Sequence, residues 1–62
     1  MNKVVVVLLR GENMKPRRWE HSDLRSAQRR AHALADLHSV RVSTRKPYEL
    51  MVDATEFYKN DE

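Results

Sequence analysis

Seven side chains carry most of the chemistry this sequence offers: Lys15, Arg17, Arg18, Trp19, Arg25, Arg29 and Arg30. A guanidinium presents its donors in a planar fork that fits phosphate and carboxylate oxygens alike. Trp19 follows Arg17 and Arg18 directly, so it could stack on a nucleic-acid base. A lone tryptophan more often serves as core or as cover for a sheet edge than as a stacking platform, and no second aromatic lies close enough in sequence to make a paired platform. Arg25 and Arg29 stand four apart with the same sign, which costs a helix a few tenths of a kcal/mol. Asp36 relieves that repulsion only in part. The set therefore reads as a phosphate-backbone contact surface, as a surface for an acidic protein, or as a solvated helix face where arginine serves solubility.

The overall charge fits a polyanion but does not demand one. Lys and Arg total 12 against 9 Asp and Glu, for a net charge of +3 and an isoelectric point near 9.7. Such an excess favours association with acidic surfaces without specifying which.

Other chemistry finds little support. His21, His32 and His38 are spaced by eleven and six positions, which puts His32 and His38 on different sides of a helix and makes no metal motif. His38 is better placed to close an apolar stripe or to hydrogen-bond near a helix end, and His32 with Asp36 reads as a helix-surface pair. Ser22 and Asp53 are accounted for by helix capping, and Ser43 and Thr44 by a strand. One glycine cannot build a glycine-rich phosphate loop. A domain of this size hardly forms the deep cleft that holds perturbed acids. The expectation is a non-catalytic protein with no cofactor, no metal and no small-molecule substrate. With no cysteine, disulfides and thiolate metal sites are excluded, which fits a reducing cytoplasm. The apolar run near the start is too short to span a bilayer, and Arg10-Gly11-Glu12 follows it where a signal peptide needs a cleavage site. The chain reads as a soluble cytoplasmic product that begins at Met1.

Five or six elements must position these residues. Val4-Val5-Val6-Val7-Leu8-Leu9 is an unbroken apolar run, four of its six residues β-branched, and predicts a strand over residues 3–10 that is covered on both faces. Arg10-Gly11-Glu12-Asn13 predicts a turn. Pro16 excludes a central strand at its position, so residues 17–21 form either an edge strand or a loop. Ser22 as a hydroxyl cap, with Asp23 as the acid of the first turn, opens a helix over 23–38. Its apolar stripe is Leu24, Ala27, Ala31, Leu34, Ala35 and His38, with Arg25, Arg29, His32 and Asp36 opposite. No glycine marks its end. Residues 40–44 alternate as a half-buried strand with Val40 and Val42 inward, Arg45-Lys46-Pro47 turns, and residues 48–52 return as the hairpin partner. The outer edge of that hairpin could accept a further strand, unless Arg41, Ser43 and Arg45 discourage pairing. Asp53 caps a short helix over about 54–59, with Glu56 in an acidic capping box and Val52 with Phe57 as a hydrophobic staple. Asn60, Asp61 and Glu62 should fray.

These elements predict a single small α+β domain over 1–62. A mixed sheet of three or four strands carries one main helix on one face, in the order β-(β)-α-β-β with a short helix last. The helix lacks a helix-turn-helix partner, which argues against that mode of DNA reading. A chain this short buries only about 60% of the surface its unfolded form exposes. The second face of the first strand must therefore be covered, either by Trp19, Met51, Phe57 and Tyr58 or by a second copy, and a homodimer is the favoured expectation. The leading functional expectation is a basic module that contacts nucleic acid. The alternative is a protein-directed modulator of a host enzyme. In size and in its lack of cysteine and catalytic residues, the chain resembles in general character the small accessory proteins of phages and other mobile elements.

Overall fold

A computed structural model describes residues 3–45 and 48–59. Four strands and two helices follow in the order β1 (Val4–Leu9), β2 (Arg17–His21), α1 (Leu24–His38), β3 (Val42–Arg45), β4 (Glu49–Asp53) and α2 (Thr55–Lys59). The sheet order is β2-β1-β4-β3. β1 and β4 run parallel at the centre, and β2 and β3 pair antiparallel to them at the two edges. The most apolar strand thus takes a central place, where neighbours on both sides satisfy its backbone. Residues 17–21 do form a strand, at the edge and directly after Pro16, where a missing N–H costs the ladder nothing. α1 joins one edge strand to the other and crosses the central pair.

The main core lies between α1 and one face of the sheet. Val4, Val6 and Leu8 from β1, Leu50 and Val52 from β4, and Ala54 pack against Ala27, Ala31 and Ala35 of α1. Trp19, Leu34, Val40, Val42 and Tyr58 close the margins. Alanine at successive turns lets the helix axis approach the sheet closely, so the fit is sensitive to any added volume. The expected stripe holds from Ala27 onward. Leu24 departs from it: in the first turn, just after the β2–α1 connection, it is half exposed.

Both ends of α1 differ from expectation in instructive ways. The cap is Asp23, not Ser22, and the first turn contains no acid. Asp23 Oδ1 accepts the Ser26 backbone N–H at 2.7 Å, and its Oδ2 accepts the Ser26 hydroxyl at 3.1 Å. The carboxylate takes these two donors on separate oxygens, and its charge strengthens both bonds. At the other end Ser39 adopts φ 57°, ψ 43°. Its N–H reaches Asp36 O at 3.3 Å and the Val40 N–H reaches Ala35 O at 2.9 Å. These are the paired bonds of a Schellman ending, with serine where glycine is usual. That use of Val40 delays β3, which begins at Val42 and not at residue 40. The left-handed conformation costs a non-glycine residue about 1–2 kcal/mol. Ser39→Gly is accordingly expected to stabilise the fold by about 0.5–1 kcal/mol, read as a rise in the urea midpoint at unchanged slope.

Among the described residues His38 is the buried polar residue of the core, at 5% exposure. Its Nδ1 lies 2.8 Å from Leu34 O, which can only accept, so Nδ1 carries the proton and donates. Its Nε2, 3.0 Å from the Tyr58 hydroxyl, then accepts. His38 therefore both ends the apolar stripe and bonds at the helix end. It also packs edge-on against Phe57 at 4.9 Å. Phe57 spends its contacts on His38 and Tyr58 and remains 44% exposed, while Val52 is fully buried in the main core.

β4 begins at Glu49, one residue later than expected, although Tyr48 O still accepts the Val5 N–H at 2.9 Å. Asp53 ends β4 and also serves α2, its Oδ1 accepting the Thr55 N–H at 3.0 Å. Lys46 and Pro47 of the expected turn, and the expected fraying of Asn60, Asp61 and Glu62, lie outside the described residues. Two cap carboxylates are held below their ordinary value of 3.8: Asp23 chiefly by the Ser26 N–H, Asp53 by the Thr55 hydroxyl and N–H. A carboxyl depressed by folding contributes stability above its unfolded pKa and loses it as pH falls through the folded one. Stability is therefore expected to decline as pH drops below about 4, and Asp23→Asn should flatten that limb of a pH-dependent melting series.

The second face of the sheet corrects an expectation. Trp19 pairs in register with Val6, so it lies on the helix side. α2 also turns toward that side: the Ala54 N–H bonds Leu9 O at 2.8 Å, and Phe57 and Tyr58 meet His38. Of the residues expected to cover the second face, only Met51 is on it. Val5, Val7, Leu9 and Met51 form its apolar stripe, without a covering element among the described residues. Val7 is nonetheless 7% exposed, because the stems of its cross-strand neighbours Arg18 and Met51 shelter it. Among the described residues no helix is long and apolar enough to cross a membrane.

Candidate nucleic-acid interface

Strand alternation decides which arginines meet. Arg17, Trp19 and His21 share the helix-facing side of β2, while Arg18 and Glu20 share the other. From α1, Arg30 leans onto the same indole. The Arg17 Cζ lies 4.9 Å from the Trp19 ring centroid and the Arg30 Cζ 5.0 Å. Each such contact is worth about 0.5–1 kcal/mol at an exposed site. Arg30 Nε also donates to His21 Nε2 at 3.1 Å. An arginine nitrogen can only donate, so the His21 proton sits on Nδ1. The indole and the imidazole thus hold two guanidinium groups from separate elements at a fixed spacing. Neither guanidinium forms an ion pair among the described residues.

A groove of about 370 Å³ runs beside this cluster between β2 and α1. His21, Arg29 and Arg30 form its basic part, and Ala33, Leu34 and Leu37 its apolar part. Leu37 is 69% exposed at its end. β2 is an edge strand, and among the described residues nothing pairs with its far backbone edge alongside the groove.

Of the seven residues singled out in the sequence, four converge here: Arg17, Trp19, Arg29 and Arg30. The other three lie elsewhere. Arg18 sits on the second sheet face beside Val7. Arg25 is exposed on the outward side of α1 and does not line the groove. Lys15 belongs to the β1–β2 connection, where its carbonyl accepts from Arg10 Nη2 at 3.0 Å. His21 and Leu37 were missed as interface residues. His21 was legible once residues 17–21 are a strand, since it follows Arg17 and Trp19 at period two. Leu37 carried no signal, because an exposed leucine looks like core in a sequence.

A second depression of about 390 Å³ lies between the β1–β2 connection and α2. It mixes Arg10 and Lys59 with Glu12 and Glu56, so it favours neither sign. Among the described residues no three metal-capable side chains come together.

The chain matches no protein-family model, and no curated protein or solved structure matches it at a significant level. Its class is that of a small ββαββα domain with a basic groove between β2 and α1.

Proposed function

We propose that this chain is a non-catalytic module that binds nucleic acid by its phosphates, through Arg17, Arg29 and Arg30 at the β2–α1 groove. The observation that supports this reading is the pair of guanidinium groups stacked on Trp19. Stacking fixes their positions and leaves their N–H edges to reach phosphate oxygens, at less entropy cost than free arginines would incur. Trp19 is an organiser of arginines in this reading, not a platform for bases.

Binding of a fluorescent oligonucleotide should weaken linearly with the logarithm of salt, at about 0.9 per phosphate neutralised, so a slope of roughly −2 to −3 is expected. An oligonucleotide with abasic positions should bind within about twofold of its parent. A base stacked on Trp19 would be worth about 1–3 kcal/mol, a loss of fivefold or more when removed. Binding that is flat with salt would reject the proposal.

Leu37 favours a second reading, in which an acidic, partly apolar protein segment occupies the same groove and the chain modulates that protein. Leu37→Ala separates the two. It should leave oligonucleotide affinity unchanged and weaken a protein partner by about tenfold, the effect of losing a buried apolar contact of this size.

A further inference from the structure

We propose that His21 is a phosphate ligand that acts only when protonated, so that the β2–α1 groove takes up a proton as it takes up nucleic acid; this rests on the phosphate-binding reading of the same groove. The observation that carries it is the bond between two side chains of the groove. Arg30 Nε donates to His21 Nε2 at 3.1 Å. In the neutral ring that nitrogen is engaged by a guanidinium and has no N–H to offer an anion. The Arg30 Nε–H is likewise turned onto a ring and away from any ligand.

A proton on Nε2 ends this arrangement. The imidazolium has two donors and no acceptor, and it stands beside a second cation. Arg30 must then turn its Nε–H away from the ring, and both groups face the groove as donors. A phosphate oxygen accepts from both and relieves the repulsion between them. Arg30 keeps its place through the exchange, because its Cζ is stacked on Trp19 at 5.0 Å.

The charged groups around the half-buried His21 ring make it a fitting place for this exchange. On α1, Arg29 and Arg30 line the same groove and repel an imidazolium. On β2, Arg17 shares the helix-facing side, with Trp19 between the two. In the β2–α1 connection, Asp23 attracts the ring. The Ser26 N–H chiefly, and His21 in smaller part, hold that carboxyl below its ordinary value. Both Asp23 oxygens already accept from Ser26, at 2.7 and 3.1 Å. On β1 the cross-strand neighbour is the apolar Val4. Lys3 and Glu20 pair with each other at 3.3 Å on the far side of the sheet. Cations therefore outnumber the carboxylate around His21, and a bound phosphate reverses that excess. Proton and phosphate favour each other, and by linkage each strengthens the other by the same factor.

The test is the affinity of a fluorescent A·T duplex, whose bases gain no proton in the range, from about pH 8 to about pH 5.5 at fixed salt. Circular dichroism checks at each pH that the chain is folded. Affinity should rise about tenfold toward the acid end, the effect of one charge-assisted hydrogen bond at an open site. The salt slope should steepen by about 0.9, for one further phosphate neutralised. His21→Gln still accepts from Arg30 but gains no charge, and should cut the rise to about twofold or less. His32→Gln, exposed on α1 and outside the groove, should keep the full rise. In the free chain the NMR signal of the Arg30 Nε–H should move in step with protonation of the His21 ring, and stay still over the same range in His21→Gln. A rise that persists in His21→Gln overturns the proposal, as does an Arg30 signal indifferent to that proton. Binding that varies with salt but not with pH removes His21 as a ligand and leaves the phosphate reading standing. A duplex that binds at neither pH removes the phosphate reading, and this proposal with it.

Discussion

Ala31→Leu is expected to cost about 3 kcal/mol and to leave much of the protein unfolded at room temperature. Ala31 is fully buried at the middle of α1, where the helix meets Val6 and Val52, themselves without exposed surface. Three added carbons have no void to enter. The helix must lift from the sheet or the neighbouring side chains must leave their rotamers, and overpacking of this kind costs about 1–3 kcal/mol or more. The total stability of a single core this small is on the order of 5 kcal/mol or less, so one such change consumes most of it. Ala33→Leu is the matched control. It adds the same volume on the exposed side of the same helix and should stay within about 0.5 kcal/mol of wild type. Urea unfolding of both variants decides the matter. Equal midpoints would mean that α1 does not rest on its alanines.

The largest expected effect on binding belongs to the Trp19 pair. Arg17→Ala and Arg30→Ala should each lower oligonucleotide affinity by roughly tenfold and reduce the salt slope by about one. A charge-assisted hydrogen bond is worth about 1.5–3 kcal/mol, and solvent at this open groove brings it toward the lower limit. The double variant should lose less than the product of the two, with a coupling of about 0.5 kcal/mol or more, because both guanidinium groups are held by one indole. Arg18→Ala is the control on the same strand, and should change affinity by less than about twofold because its side chain lies on the other sheet face. A variant at Arg18 that weakened binding as much as one at Arg17 would place the nucleic acid across the edge of β2 and not in the groove. Strict additivity of Arg17 and Arg30 would remove Trp19 from any organising role.

Arg25 shows why spacing alone misleads about a site. It stands four residues from Arg29, on the same general side of α1, and sequence spacing makes the two a natural pair. The groove takes Arg29 and Arg30 instead, because β2 flanks the helix on Arg30's side. Arg17 and Arg18 show the same thing on a strand: adjacent in sequence, they are separated by the thickness of the sheet.

What the sequence by itself determined was local. The apolar run at residues 4–9 specified a strand, Ala27, Ala31 and Ala35 with His38 specified a helical stripe, and Pro16 left residues 17–21 an edge position if they were to be a strand at all. Each of these follows from the period of one segment and needs no knowledge of the others. The tertiary structure alone decided that β1 and β4 run parallel side by side, that Trp19 turns toward α1 and gathers Arg17 and Arg30, and that α2 folds onto His38 and leaves Val5, Val7, Leu9 and Met51 without a covering element among the described residues. Those outcomes depend on register between segments far apart in the chain, and a shift of one residue in such a pairing exchanges the two faces of a strand without altering any local pattern.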